Sequence, residues 1–187
     1  MSKDANQIQI IEKHPAGAEL VNKQDIEKYL RMLGQELLQR GITGEILLAG
    51  GAVMLLKVQN REVTKATDAY FNPGQANTIR EAAIVIADRE GLTYDWINEG
   101  VKGFFYTQPS AEKWAEYPGL RVYMASLDYL FAMKVVAGRP QDIDDIKALA
   151  NAMSLSNAQD AIAIVKKYVP EQLLTPRMEY TIEEIFE

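Results

Sequence analysis

The sequence predicts an α/β or α+β fold that ends in a helical part, and three observations predict it. Short apolar or β-branched runs alternate with helix-periodic segments up to about residue 125. From Ser126 onward every segment carries helical signals and none reads as a strand. The chain has 187 residues, of which 48% are hydrophobic and 25% charged, a balance that suits one domain with a real core. The expected organisation is a core over residues 1–125, including an N-terminal helix, with a helical region over 126–187 packed on it.

In chain order, Asn6–Lys13 (NQIQIIEK) alternates weakly and reads as a short strand or an extended arm. Asn22 stands at an N-cap position with Asp25 three residues on; Ile26, Tyr29, Leu30, Leu33 and Leu37 form one apolar stripe, and Gly41 stops it. Glu45–Ala49 (EILLA) reads as a buried strand ending at Gly50-Gly51, and Ala52–Val58 as a short helix. The β-branched and aromatic content of Thr64–Phe71 favours a second strand, turned by NPG at Asn72–Gly74. Asn77 is expected to cap a helix bearing Ile79, Ala82, Ala83 and Ile86, closed by Gly91. KGFFYT (102–107) and LRVYM (120–124) read as strands, and the polar, turn-rich QPSAEKWAEYPG (108–119) between them as a surface loop. Ser126 is expected to cap the first C-terminal helix and Pro140 to fit the first turn of another, while Ser156–Gln159 and Thr181–Glu184 read as capping boxes.

Bulk composition removes several functional classes. A net charge of -6 argues against broad coating of nucleic acid and leaves room for a local basic groove. With no cysteine and one histidine, His14, which reads as a solvated loop residue, the chain cannot build a thiol nucleophile, a Cys–zinc site or a His cluster. The opening MSKDANQIQIIEK carries acids and lacks a long apolar stretch, so no signal peptide is expected. No run approaches the roughly 20 apolar residues of a membrane helix, so the expected location is the cytoplasm, away from membranes.

The residues able to carry chemistry are few. Gly50-Gly51, between a strand and a helix, would let backbone amides approach a phosphate, or would serve tight packing alone. Asp68 is a carboxylate on a strand beside that turn, able to hold a divalent ion or to play a structural part; Ala66 and Tyr70 flank it at the second positions. Lys134 lies in an otherwise apolar run from Tyr129 to Val136, and either snorkels to the surface or points into a cleft that holds an anion. Arg139 follows, then Asp142, Asp144 and Asp145, which either initiate a helix or, at the spacing of Asp142 and Asp145, orient Lys134 or Arg139.

Together these residues resemble the nucleotidyltransferase superfamily in its minimal bacterial branch, which includes AbiEii-type toxins and related uncharacterised proteins. The matching positions are Gly50, Gly51, Arg61, Thr64 and Asp68, then Lys134, Ala137, Arg139, Asp142 and Asp145; the likeness runs from Glu45 to Asn151. It implies a mixed sheet flanked by helices and a nucleoside triphosphate bound in a cleft. Gly50 and Gly51 would receive its phosphates, with Arg61, Thr64, Lys134, Arg139 and Asp145 contributing to the nucleotide site. Asp68 would hold one Mg²⁺, and Lys134 and Asp142 would join it in the catalytic set. An RNA or protein acceptor, in a toxin–antitoxin or phage-defence system, would complete the functional setting that the resemblance implies; an antitoxin partner or a homodimer belongs to the interaction-module expectation below. Two departures stand out: Ala66 replaces the first aspartate of the metal-binding pair, and Gln141 the arginine expected before Asp142. The resemblance therefore implies a nucleotide-binding protein with weak or lost transferase activity, against an active Mg-dependent enzyme that recruits Asp142, Asp144 or Asp145. A third expectation is a non-catalytic interaction module using the apolar C-terminal residues Tyr168, Leu173, Leu174, Ile182, Ile185 and Phe186.

Overall fold

A central strand organises the chain. The computed structural model describes residues 20–104 and 109–187. Strand β2 (Gly44–Leu48) runs antiparallel to β4 (Thr67–Phe71) on one side and parallel to β7 (Leu120–Ala125) on the other. The short β5 (Ile97–Asn98) and the edge strand β6 (Ala111–Tyr117) complete a mixed sheet in the order β5-β4-β2-β7-β6. A separate two-stranded ribbon pairs β1 (Val21–Asn22) with β3 (Val63–Thr64).

The alternation of side chains fixes what each face does. Ile46, Leu48, Ala69, Phe71, Val122 and Met124 share one buried face by register. Helices α1 (Lys23–Gln39) and α3 (Ala76–Glu90) lie over it, since Leu37 and Ile79 both reach the backbone of Gly44. Asp68 and Tyr70 point to the other, half-open face, where Arg121 pairs with Glu45 at 2.9 Å. Helices α4 (Leu127–Ala137), α5 (Ile143–Ala152), α6 (Ala158–Tyr168) and α7 (Pro176–Ile185) follow. Their buried residues Phe131, Leu149, Val165 and Ile182 belong to the same core cluster as Ile26 and Ile46, so the helical region shares the core of the sheet. Helix α4 is apolar on nearly every side because it is buried on nearly every side. Among the described residues, no helix is long and apolar enough to cross a membrane.

The mixed α/β architecture and the helical C-terminal part agree with the sequence. The capping box at Asn22 is present in full: Asp25 N–H donates to the Asn22 side chain at 3.0 Å and Asn22 N–H donates to Asp25 at 3.1 Å. Several details differ. Residues 111–117, read as loop, form β6; its charges Glu112, Lys113 and Glu116 are those that guard an exposed sheet edge, and they masked the strand signal. Residues 102–104 of the expected KGFFYT strand close a 3-10 turn (Gly100–Phe104), and 105–107 lie outside the described residues, as do Asn6–Lys13 and His14. The single strand expected over Thr64–Phe71 is split between the ribbon and the sheet.

Three caps shift. Gln75, not Asn77, precedes α3, and Asn77 accepts from Arg80 instead. Asn157 caps α6 through Asp160 N–H at 2.9 Å, one residue after Ser156. Helix α7 begins at Thr175-Pro176, leaving Thr181 inside it with its hydroxyl donating to the Arg177 carbonyl. Tyr168 and Ile182, expected on a partner-binding surface, are buried; Leu174, Ile185 and Phe186 pack against the core, and Leu173 alone of the six is exposed.

Candidate functional site

The end of β2 and the middle of β4 generate the site. Beyond the last ladder pair, Leu48 with Ala69, the Ala49 N–H still donates to the Asp68 carbonyl at 2.9 Å. The next two residues, Gly50 and Gly51, are thereby delivered beside the Asp68 side chain. Gly51 N–H donates to Asp68 Oδ2 at 3.3 Å. Gly50 takes φ +52°, and a Cβ there would overlap that carboxylate. A Cβ on Gly51 would meet the Thr64 hydroxyl at 2.5 Å. The space at the glycine pair is thus taken by two side chains of this chain, Asp68 and Thr64, and the Gly51 amide donates to Asp68.

After the glycines, α2 (Gly50–Val53) makes little more than one turn before the backbone widens into a π-helical turn over Met54–Val58. The short helix expected over Ala52–Val58 is present, begins two residues earlier, and widens in its second half. The turn ends at Gln59 with φ 59°, and the two residues that follow both reach α5: Asn60 Nδ2 donates to Asp145 Oδ1 at 2.8 Å, and Arg61 pairs with the same oxygen. Lys134, from α4, pairs with Asp145 Oδ2 at 2.8 Å and Asp142 Oδ1 at 2.7 Å. Its side chain is 13% exposed, so it neither snorkels into solvent nor stands alone; two aspartates hold it. Asp144 points outward and stays at the surface.

All nine candidate residues, Gly50 and Gly51 in the glycine turn, Arg61, Thr64 and Asp68 after it, and Lys134, Arg139, Asp142 and Asp145 on the helical side, line one cleft of about 670 Å³. That volume is typical of a small-molecule site. Asn60 and Lys65 were not read from the sequence. Nothing in the QNR stretch marks Asn60 as a donor to a buried acid, whereas Lys65 stands beside Thr64 in the connector between β3 and β4 and lines the cleft. The lining also has apolar members, Val63, Val101, Leu130 and Met133.

Charge is distributed unevenly over the acids. Burial pushes the Asp68 carboxyl above its usual range, with the Gly51 hydrogen bond and the charges of Lys134, Arg139 and Arg61 opposing it less strongly. Burial would also raise Asp145, yet hydrogen bonds from Lys134, Asn60 and Arg61 outweigh it and hold that carboxyl low. Among the described residues, no cluster of three or more acids or histidines is placed to hold a metal ion. Both oxygens of Asp145, one of Asp142 and one of Asp68 are engaged by cations or amides, which leaves one carboxylate oxygen on each of Asp68 and Asp142 for a cation. This set does not fit two dications, which repel unless several carboxylates neutralise them; it fits at most one Mg²⁺ held largely by substrate phosphates.

The raised Asp68 value has a consequence for stability. A carboxyl whose folded pKa lies above its unfolded one loses stability as the pH rises through the folded value. Asp68→Asn keeps an acceptor for Gly51 and cannot ionise. It is expected to raise Tm at pH 7, since the parent must hold a buried, ionised carboxyl there and the variant need not. Differential scanning calorimetry from pH 7 down to pH 4 checks this: the gain should shrink towards acid.

The fold is a mixed sheet with a cleft at the end of its central strand, lined by acids and cations. Comparison of the chain with protein-family models, curated proteins and solved structures finds no match.

Proposed function

We propose that the chain is a nucleotidyltransferase-like protein that binds a nucleoside triphosphate in this cleft, with transferase activity weak or lost. The observation that carries the reading is convergence: glycine turn, acid and cations, read at separate places in the sequence, line the same hollow. Arg61 and Arg139 offer the phosphates charge-assisted hydrogen bonds, and the Thr64 hydroxyl lies beside Gly51. The apolar lining of Val63, Val101, Leu130 and Met133 offers a base a dry surface. Asp68 would hold a single Mg²⁺, which supplies charge neutralisation at the phosphate oxygens when bound. Group transfer also needs an acceptor hydroxyl to lose its proton. Asp142 and Asp145 are engaged with Lys134, which leaves them poor bases for that step.

Titration calorimetry with ATP, GTP, CTP and UTP in excess Mg²⁺ tests the binding. Saturable heat with at least one of them is expected, and none from any at millimolar concentration would remove the reading. For transfer, labelled nucleotide incubated with RNA or protein acceptors should give no more product than the Asp68→Ala variant. A signal that Asp68→Ala abolishes would instead establish an active enzyme.

A further inference from the structure

Asn60 stands outside the cleft lining yet shares its acceptor with a residue inside it. The connector that carries both begins at Gln59, whose φ of 59° is a left-handed conformation that persists only where surrounding contacts hold it. No regular element follows until β3 at Val63. Between these points the connector is tied to α5 by two side chains. Asn60 Nδ2 donates to Asp145 Oδ1 at 2.8 Å, and Arg61 Nη2 pairs with the same oxygen. Lys134 takes the other oxygen at 2.8 Å, so the buried acid is gripped from both sides.

Arg61 therefore meets Asp145 with one nitrogen. Its Nη1 lies 3.6 Å from where a Gly51 Cβ would stand, so the guanidinium spans the distance from α5 to the glycine turn. Left to itself, a guanidinium beside a carboxylate turns to lay two parallel N–H groups on both oxygens. That turn would withdraw Nη1 from the glycines. Lys134 on Oδ2 and Asn60 on Oδ1 oppose it, and Asn60 also fixes the connector from which Arg61 projects.

On the premise that the cleft takes a nucleotide, we propose that Asn60 is a positioning residue for its phosphates. It holds Arg61 edge-on to Asp145 and so keeps Nη1 at the glycine turn, where the phosphates lie. Asn60 touches no ligand atom; its whole effect on binding passes through the Arg61 fork.

The test is titration calorimetry of the full chain with ATP in excess Mg²⁺, on the parent, Asn60→Ala, Arg61→Lys and the double variant, each first shown folded by circular dichroism. Asn60→Ala, a change at an exposed position, should weaken binding by about three- to tenfold, the effect of one misaimed hydrogen bond. Arg61→Lys should weaken it too, because a single ammonium cannot hold the acid and reach the turn with separate nitrogens. On that background Asn60→Ala should cost less than about a further twofold, since no fork remains to be aimed. Glu62→Gln, at an exposed neighbour that makes no ion pair among the described residues, should stay within about twofold of the parent. Asn60→Ala within about twofold of the parent, or an equal loss from it on both backgrounds, overturns the positioning role and leaves nucleotide binding standing. No heat from the parent overturns both.

Discussion

Gly50→Ala is expected to destabilise the fold by about 2–4 kcal/mol, a large effect for the addition of one methyl group. Two costs add. The left-handed backbone at φ +52° penalises an alanine by about 1 kcal/mol. The new Cβ also falls on the Asp68 carboxylate, with Asp68 Cγ at 3.1 Å and Cβ at 3.2 Å, so a rotation of the outer oxygens alone cannot make room. Asp68 pairs in register with Asn98 and its carbonyl accepts from Ala49 N–H, so its backbone cannot retreat and its side chain must swing away and give up the Gly51 N–H. Losing a hydrogen bond to a charged acceptor costs about 1.5–3 kcal/mol. Urea unfolding reads the sum as a shift in midpoint at constant slope. The double variant Gly50→Ala/Asp68→Ala separates the terms: with the colliding carboxylate gone, the added methyl should cost only the backbone part, about 1 kcal/mol. A Gly50→Ala protein within about 0.5 kcal/mol of the parent would show that turn and acid are not in contact.

The sequence made the parts of this site visible and concealed their couplings. Gly50-Gly51 and Asp68 are conspicuous because glycine after an apolar strand, and an acid in a β-branched run, break local pattern. That the glycines serve Asp68 and Thr64 depends on the β2–β4 register, which no local signal carries. Lys134 was legible as an anomaly in an apolar helix, and its pairing with Asp142 and Asp145 was among the readings the spacing allowed. Asn60 was not, because its role depends on a widened turn over Met54–Val58 that redirects the chain. The inner strands were read well, since β2 carries the apolar run Ile46–Leu48 and β7 alternates buried Leu120, Val122 and Met124 with half-exposed Arg121 and Tyr123. The edge strand β6 was missed because protection of an edge calls for the same charged residues that mark a loop. Caps slipped by a residue or more at α3, α6 and α7, where Ser, Thr and Asn are plentiful and only the backbone turn selects among them.

Asp145→Ala is expected to cost about 3–5 kcal/mol, the range for removing one member of a buried ion-pair network. The carboxylate is buried and accepts from three groups on two other segments: Lys134 on α4, and Asn60 and Arg61 after the π-helical turn. Its loss leaves Lys134, itself 13% exposed, with Asp142 as the remaining acid partner, and strips Asn60 of its acceptor. Asp145→Asn keeps an oxygen for one donor and should cost less, about 1–3 kcal/mol, because the charge alone is removed. Lys134→Met provides the complementary arm: Asp145 then retains Arg61 and Asn60. The double variant Lys134→Met/Asp145→Ala should therefore cost less than the sum of the two single changes, by about 1–3 kcal/mol. The pH dependence has a definite sign. Asp145 titrates below its usual range in the fold, so its contribution is complete above the unfolded aspartate value of about 3.9 and is lost as the pH falls through the folded one. Parent and Asp145→Ala should differ most near neutrality and converge in acid below about pH 4. A constant difference across that range would mean that Asp145 acts by packing alone. Asp144, one residue earlier and exposed, serves as the control: Asp144→Ala removes an acid of the same helix turn that holds no cleft cation and should stay within about 0.5 kcal/mol of the parent.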